Sequence, residues 1–400
     1  MTVAAVFAIV YLGMILGGLP FLRLDRTGVA LLGAIALVGL GELTPEQAAQ
    51  SVHLPTLLLL FSFMVLSAQM RLGGFYTWVT PRIAALPLGP AALLAASMLA
   101  VAVLSAVFSN DVVCLAIAPV LADACARRGV DPVPYLLGLA CAANIGSAAT
   151  LIGNPQNMLI GQVLALPFAG YTLGTIGPVL ASLAVAWAII GWRLKEGSSS
   201  RPASPERRED ASFDAWQTAK GLAVAVALVI VFVFTSLPRE VAALTGAGIL
   251  LMSSRLHSNK MLGLVDWELL VLFIGLFVVN HAFQSTGLAE RALLAFAEAG
   301  MPLAAPAPLF AATFVLSNVV SNVPAVMLLL PAATEPFAGP MLALVSTLAG
   351  NLLIVGSIAN IIVVDAARRR GIEIDWRRHA LTGVPVTLAS LAIAAVWFSL

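Results

Sequence analysis

Four polar clusters, each set in an otherwise apolar run, carry what chemistry this chain can do. In FSNDVV, at 108–113, Ser109, Asn110 and Asp111 stand side by side. In NIGSAATLIGNPQNM, at 144–158, the polar and helix-breaking positions are Asn144, Ser147, Thr150, Gly153, Asn154 and Asn157. SNVVSNVP, at 317–324, offers Ser317, Asn318, Ser321 and Asn322, and the stretch 351–360 offers Asn351, Gly356, Ser357 and Asn360. Amide, hydroxyl and freed carbonyl oxygens suit a small hard cation, while N–H groups at helix starts attract anions. Asp111 is the carboxylate placed deepest in an apolar run, and an ionisable group inside a membrane is functional by default. A fixed acidic group suits a coupling cation or a proton relay better than a bare anion pocket.

The elements that must position these residues are membrane helices. Of 400 residues, 60% are hydrophobic and only 10% charged, and the mean hydropathy is +0.99. Soluble domains carry roughly 25% charged residues, and runs of about 20 apolar residues are long enough to cross a bilayer. The expected fold is an all-α membrane protein. Spans are predicted at 3–21, 28–42, 54–70, 134–166, 172–192, 217–236, 240–254, 265–283, 339–365 and 380–399, with the first read as a span and not a leader peptide. The stretches 89–126 and 302–336 are too long for one helix and too polar at their centres for two ordinary ones. Both are predicted to be re-entrant hairpins. The spans at 134–166 and 339–365 are predicted to be discontinuous.

Charge agrees with that count. With Arg23 and Arg26 inside, nineteen of the 21 Lys and Arg residues fall on the inner side, leaving Arg239 and Arg291 outside, as the positive-inside rule expects. Both termini are then external. The chain also repeats itself. SNDVVCLAIAP at 109–119 answers SNVPAVMLLLP at 321–331, and GNPQNMLI at 153–160 answers GSIANIIV at 356–363. Residues 1–195 and 215–400 each hold five spans and one hairpin, joined by a cytoplasmic linker at 196–214. Five is odd, so the halves are inverted. Inverted repeats with broken helices are the architecture of secondary transporters, with the site near the midplane.

At these residues the sequence resembles the ion transporter superfamily of arsenite permeases, citrate-transporter-like permeases and divalent anion/sodium symporters. FSNDVVCLAIAP is similar to the arsenite-permease first hairpin, NIGSAATLIGNPQNMLI to the symporter type of broken helix, and SNVPAVMLLLP to the Asn-x-Pro second hairpin. The resemblance implies elevator-like alternating access coupled to sodium or protons. It implies one half-site at Ser109, Asn110, Gly153 and Asn157 and another at Ser321, Asn322, Gly356 and Asn360, each a candidate sodium site. A homodimer is an expectation from the symporter relatives. The symporters' Ser-Asn-Thr tips are Ser-Asn-Asp and Ser-Asn-Val here.

The function expected is ion-coupled transport of a small inorganic or organic anion, arsenite or a carboxylate included, across a bacterial cytoplasmic membrane. The alternative is a sodium/proton antiporter using Asp111. An intramembrane enzyme is remote: no HExxH, paired aspartates or nucleophile–base set occurs. No cofactor beyond the coupling ion and no nucleic-acid partner is expected. Cys114, Cys125 and Cys141 read as buried packing residues, with a soft site for trivalent arsenic as the other reading. Asp123, Glu290, Glu298, Glu335 and Asp365 are expected to be solvated at membrane boundaries. His281 is expected to pack beside Asn280, and Trp216, Trp267 and Trp376 to sit at the interface.

Overall fold

A computed structural model describes residues 1–19, 22–196 and 213–399, so most of the predicted linker at 196–214 lies outside the described residues. Among the described residues the structure is helical apart from one pair of two-residue strands. In order, the helices are α1 (Thr2–Leu16), α2 (Arg26–Gly39), α3 (Pro45–Ser51), α4 (Leu54–Leu72), α5 (Phe75–Ala84), α6 (Pro90–Val107), α7 (Asn110–Arg128), α8 (Pro132–Ser147), α9 (Pro155–Val163) and α10 (Phe168–Glu196). After the linker come α11 (Ala215–Phe234), α12 (Arg239–Leu251), α13 (Ser258–Leu262), α14 (Trp267–Ser285), α15 (Leu288–Glu298), α16 (Pro306–Val320), α17 (Asn322–Leu329), α18 (Ala338–Ala349), α19 (Ile358–Arg368) and α20 (Trp376–Trp397).

Among the described residues, six helices are long and apolar enough to cross a membrane: α4, α6, α10, α11, α14 and α20. The first predicted span, 3–21, ends early. Gly17 turns the backbone left-handed at φ 79°, and Gly18–Leu19 then pairs antiparallel with Leu24–Asp25, Gly18 facing Asp25. Several short helices have no counterpart among the predicted spans, notably α3, α5, α13 and α15. In α3 a reciprocal cap between Thr44 and Gln47 closes the first turn, satisfying two backbone donors that a seven-residue segment could not bury otherwise.

Aspartates start many of the long helices. Asp25, Asp131, Asp214, Asp266 and Asp375 each accept a backbone N–H from the first turn of α2, α8, α11, α14 and α20. A helix start at a membrane surface has free N–H groups, and a carboxylate satisfies them while complementing the dipole. Where helices must approach closely, glycine permits it. A Cβ on Gly146 of α8 would strike the Ala102 backbone of α6, and one on Gly275 of α14 would lie 2.7 Å from the Ala30 carbonyl carbon of α2.

The boundary residues divide. Glu290, Glu298, Glu335 and Asp365 are exposed, as are Trp216, Trp267 and Trp376. Asp123 is not solvated: it is 4% exposed and bound to Arg370, Nε to Oδ1, at 2.8 Å. Nor does His281 pack: it is exposed, and its neighbour Asn280 is the buried residue, accepting from the Tyr11 hydroxyl at 2.9 Å. All three cysteines are buried and unbridged.

Candidate functional site

Both predicted breaks fall within helices. The first lies between α8 and α9, residues 148–154, and the second between α18 and α19, residues 350–357, where a single 3-10 turn spans Ile354–Gly356. A break inside a bilayer frees carbonyls, each of which costs several kcal/mol if left without a partner. One asparagine meets that cost on each side. The Asn157 side-chain amide donates to the carbonyls of Ser147 and Thr150, at 3.4 and 3.1 Å. Asn360 donates to those of Gly350 and Leu353, at 2.8 and 3.0 Å. A shift of 203 residues carries Ser147 to Gly350, Thr150 to Leu353 and Asn157 to Asn360.

The same shift relates the bonds that tie one break to the other. Thr347 Oγ1 donates to Asn157 Oδ1 at 3.3 Å, and Asn144, its counterpart, donates to Asn360 Oδ1 at 3.2 Å. Asn154 caps α9 and donates to Thr347 Oγ1 at 3.2 Å; Ser357 caps α19 and donates to Asn144 Oδ1 at 2.9 Å. Asn144 also donates to Asn351 Oδ1 at 2.8 Å, and Ser147 accepts from Asn154 at 2.9 Å. The Thr150 hydroxyl donates to the Ala106 carbonyl. These side chains are almost wholly buried. Apart from Ser357, which also lines the cleft, they form a frame behind the site and not its surface.

The helix pairs α6–α7 and α16–α17 bring their tips to this frame. Asn110 N–H donates to the Gly153 carbonyl at 3.1 Å, and its side chain to Asn144 Oδ1 at 3.1 Å. Gly153 has to be glycine, because a Cβ would strike the Ser147 and Ser105 backbones. Ser109 and Ser321 sit at the N-cap positions of α7 and α17, yet their side chains make no cap hydrogen bond. Ser321 holds φ 77° and ψ 161°, a region essentially reserved for glycine and costly elsewhere. Near it, Asn318 Oδ1 and Asn322 Oδ1 are buried without a partner. Gly356 leaves room there: a Cβ on it would lie 3.3 Å from Asn318 Oδ1.

Between the tips lies a small, partly open cleft of about 30 Å³. Its walls are the first turns of four helices: Asn110 and Asp111 of α7, Pro155 and Gln156 of α9, Asn322 and Val323 of α17, and Ile358 of α19, with the preceding Ser321 and Ser357. Leu269 of α14 completes it, and no Lys or Arg is among the lining residues. Of the candidate residues, Asn110, Asp111, Ser321, Asn322 and Ser357 face the cleft. Asn144, Ser147, Thr150, Gly153, Asn154, Asn157, Asn351, Gly356 and Asn360 lie outside its lining, and so does Ser109.

Three participants were not anticipated. Gln156 lines the cleft and donates to Thr347 Oγ1 at 3.3 Å. Thr347 joins the frame, and extending the GNPQN/GSIAN match backwards would have set it opposite Asn144. Tyr171 of α10 donates to the Ala148 carbonyl at 2.8 Å and accepts from Asn157 at 3.2 Å; nothing in its apolar surroundings marks it.

Long apolar helices around a polar frame of paired breaks are the build of a helical membrane transporter. The chain belongs to the citrate transporter family, whose model matches residues 9–349; it is a membrane transporter and not an enzyme. It is similar to an uncharacterized transporter of Mycobacterium tuberculosis, 30% identical over 407 residues covering 94% of each chain. It is also similar to the silicon efflux transporter of Oryza sativa, 27% identical over 460 residues, covering 97% of this chain and 95% of that one. Among solved structures, the Alcanivorax borkumensis YdaH transporter matches with a TM-score of 0.57 over 99% of this chain and 97% of that one. At 14% identity that likeness concerns the fold alone.

Proposed function

We propose that this chain is an ion-coupled secondary transporter of a small oxyacid or its singly charged anion, with the cleft at the four helix starts as its site. The observation that carries the reading is the composition of that cleft. Converging helix N-termini favour oxygen atoms bearing negative charge, yet Asp111 stands among them and no cation lines the wall. A multiply charged carboxylate such as citrate would meet repulsion without a compensating Lys or Arg. A compact hydroxy acid offers O–H groups to Asp111 and to the unpartnered Asn110 and Asn322 oxygens, and oxygens to the helix starts. Arsenous and silicic acids are of this kind, and a rice relative is named for silicon efflux.

In this reading residues 1–195 and 215–400 are inverted repeats, α6–α7 and α16–α17 are re-entrant hairpins, and the polar frame moves as the transport unit. The shift-related hydrogen bonds support that division. The membrane is the bacterial cytoplasmic membrane, with both termini external; sodium or protons drive the cycle, and a homodimer is expected. Trapped Asn and Ser oxygens near Gly153 and Gly356 would hold sodium if sodium couples.

The test is purified protein in sealed liposomes, given arsenous acid, silicic acid or citrate under an imposed sodium or proton gradient. Gradient-dependent flux of a small oxyacid, lost in Asp111→Asn, is expected. Citrate flux that Asp111→Asn leaves intact would overturn the reading. Sodium-driven proton movement with no solute at all would establish the antiporter in its place.

A further inference from the structure

The two breaks are closed from behind by different side chains. Behind the first, two residues of α10 one turn apart reach the freed carbonyls: Tyr171 donates to Ala148 at 2.8 Å and Thr175 to Ala149 at 3.3 Å. Behind the second, two residues of α20 with the same spacing occupy the same place. His379 Nε2 lies 3.2 Å from the Asn351 carbonyl, and a Cβ on Gly383 would strike that oxygen and come within 3.1 Å of the Leu352 carbonyl. Asn351 and Leu352 are Ala148 and Ala149 under the shift of 203 that relates the breaks. A phenol is a fixed donor across the physiological range. An imidazole is not: its second nitrogen can take up a proton.

His379 is 2% exposed, and its second ring nitrogen, Nδ1, is buried with no hydrogen-bond partner. Since Nε2 faces a carbonyl, it carries the proton, and Nδ1 is the bare acceptor. Two hydrogen bonds link this residue's carbonyl partner to the cleft: Asn351 Oδ1 accepts from Asn144, and Asn144 Oδ1 accepts from Ser357. The elements packed on α20 bring few titratable groups. On α10 these are Tyr171 and Arg193, with Lys195 and Glu196 beyond the described side chains; on α8 they are Tyr135 and Cys141, and α18 and the 354–356 turn carry none. On its own helix stand Arg377 and Arg378, with Asp375 at the cap. No hydrogen bond or ion pair joins any of these side chains to the ring among the described contacts.

We propose that His379 is a proton-accepting positioning residue of the second half-site. This rests on the transport reading above. Protonation at Nδ1 places a charge directly behind the Asn351 turn and strengthens donation to its carbonyl. That charge disfavours a cation at Asn318 and Asn322 and favours an anionic or oxyacid occupant of the cleft. Behind the first break Tyr171 offers no such proton acceptor, so the two breaks are supported unequally.

The direct test needs no substrate. Ring-15N histidine NMR of the intact protein in detergent, with the His379 signal assigned against His379→Gln, should show an Nε2–H tautomer at pH 8 that gains a proton as pH falls towards 5. A signal unchanged from about pH 4.5 to pH 9 would overturn the proposal. In liposomes with silicic acid as probe, wild-type rates should change about fivefold between pH 4.5 and 7.5. His379→Gln keeps an amide donor near the Nε2 position and should retain transport while flattening that profile to less than about twofold. A variant that transports with the wild-type profile would also overturn it. Should His379→Gln not fold, assignment passes to the variants of the other histidines, His53, His257 and His281, and the wild-type titration decides. Should silicic acid not be carried, arsenous acid takes its place as the probe; should neither be carried, the oxyacid reading fails, and the titration still stands or falls by itself.

Discussion

Two asparagines and one aspartate divide the labour at residue scale. Asn157 and Asn360 each satisfy two carbonyls that a broken helix leaves free, whereas Asp111 faces the cleft. Replacing Asn157 or Asn360 by Ala strands those carbonyls and should cost about 1–3 kcal/mol each, read as a lowered thermal midpoint in detergent. Asp111→Asn keeps the side chain's size at a half-buried position, so it should leave the midpoint within about 0.5 kcal/mol of wild type and abolish coupled flux. The reverse pattern, a stable Asn157→Ala and an unstable Asp111→Asn, would mean that the frame and the site have been confused. Most of these residues were legible because asparagine, glycine and proline clustered inside an apolar run have no other reason to be there. Thr347, Tyr171 and His379 were not, because each lies within an unbroken helix. What its side chain bonds is decided by another segment, 14 or more residues away.

Among the elements, the tips of the α6–α7 and α16–α17 pairs differ in strain. The α6–α7 tip is bonded to the first break through Asn110 and Gly153, and its Ser109 has an ordinary negative φ of −52°. The α16–α17 tip holds Ser321 where only glycine rests without penalty. Ser321→Gly should therefore raise the thermal midpoint, by about 1 kcal/mol of relieved strain, while Ser109→Gly should not. If Ser321→Gly lowers stability instead, the serine side chain has a role that its backbone does not reveal. Close packing gives a second prediction. Gly146→Val would drive a side chain into the Ala102 backbone and should destabilise by about 1–3 kcal/mol or more, checked by the same melt and by loss of monodisperse protein. The breaks, α6, α7 and α16 were readable from apolar length and Gly/Pro punctuation. The paired strands near Gly18 and the short helices α3, α5, α13 and α15 were not, since span-length windows average over segments of this size.

For the whole molecule, the expected topology places 196–214 on the cytoplasmic side. In a background with Cys114, Cys125 and Cys141 replaced, Ala203→Cys should react with a membrane-impermeant maleimide in inside-out vesicles and not in intact cells. Labelling from outside would reverse the orientation and every span assigned from charge. The inward and outward faces hang on this one measurement because the chain's basic residues were the sole guide to sidedness.

The hydrogen bonds that cross between the breaks have a consequence for how such a molecule could arise. Asn157 takes its side-chain oxygen's partner, Thr347, from the other half of the chain, and Asn360 takes Asn144. A fragment ending at 195 would keep the bonds that satisfy its own freed carbonyls and lose those shared with Thr347, Asn351, Ser357 and Asn360, with nothing in the lipid to replace them. If the halves are inverted repeats, as proposed above, an oppositely inserted copy would offer the equivalent groups, and an antiparallel dimer joined later by fusion is the ancestor such an arrangement would imply.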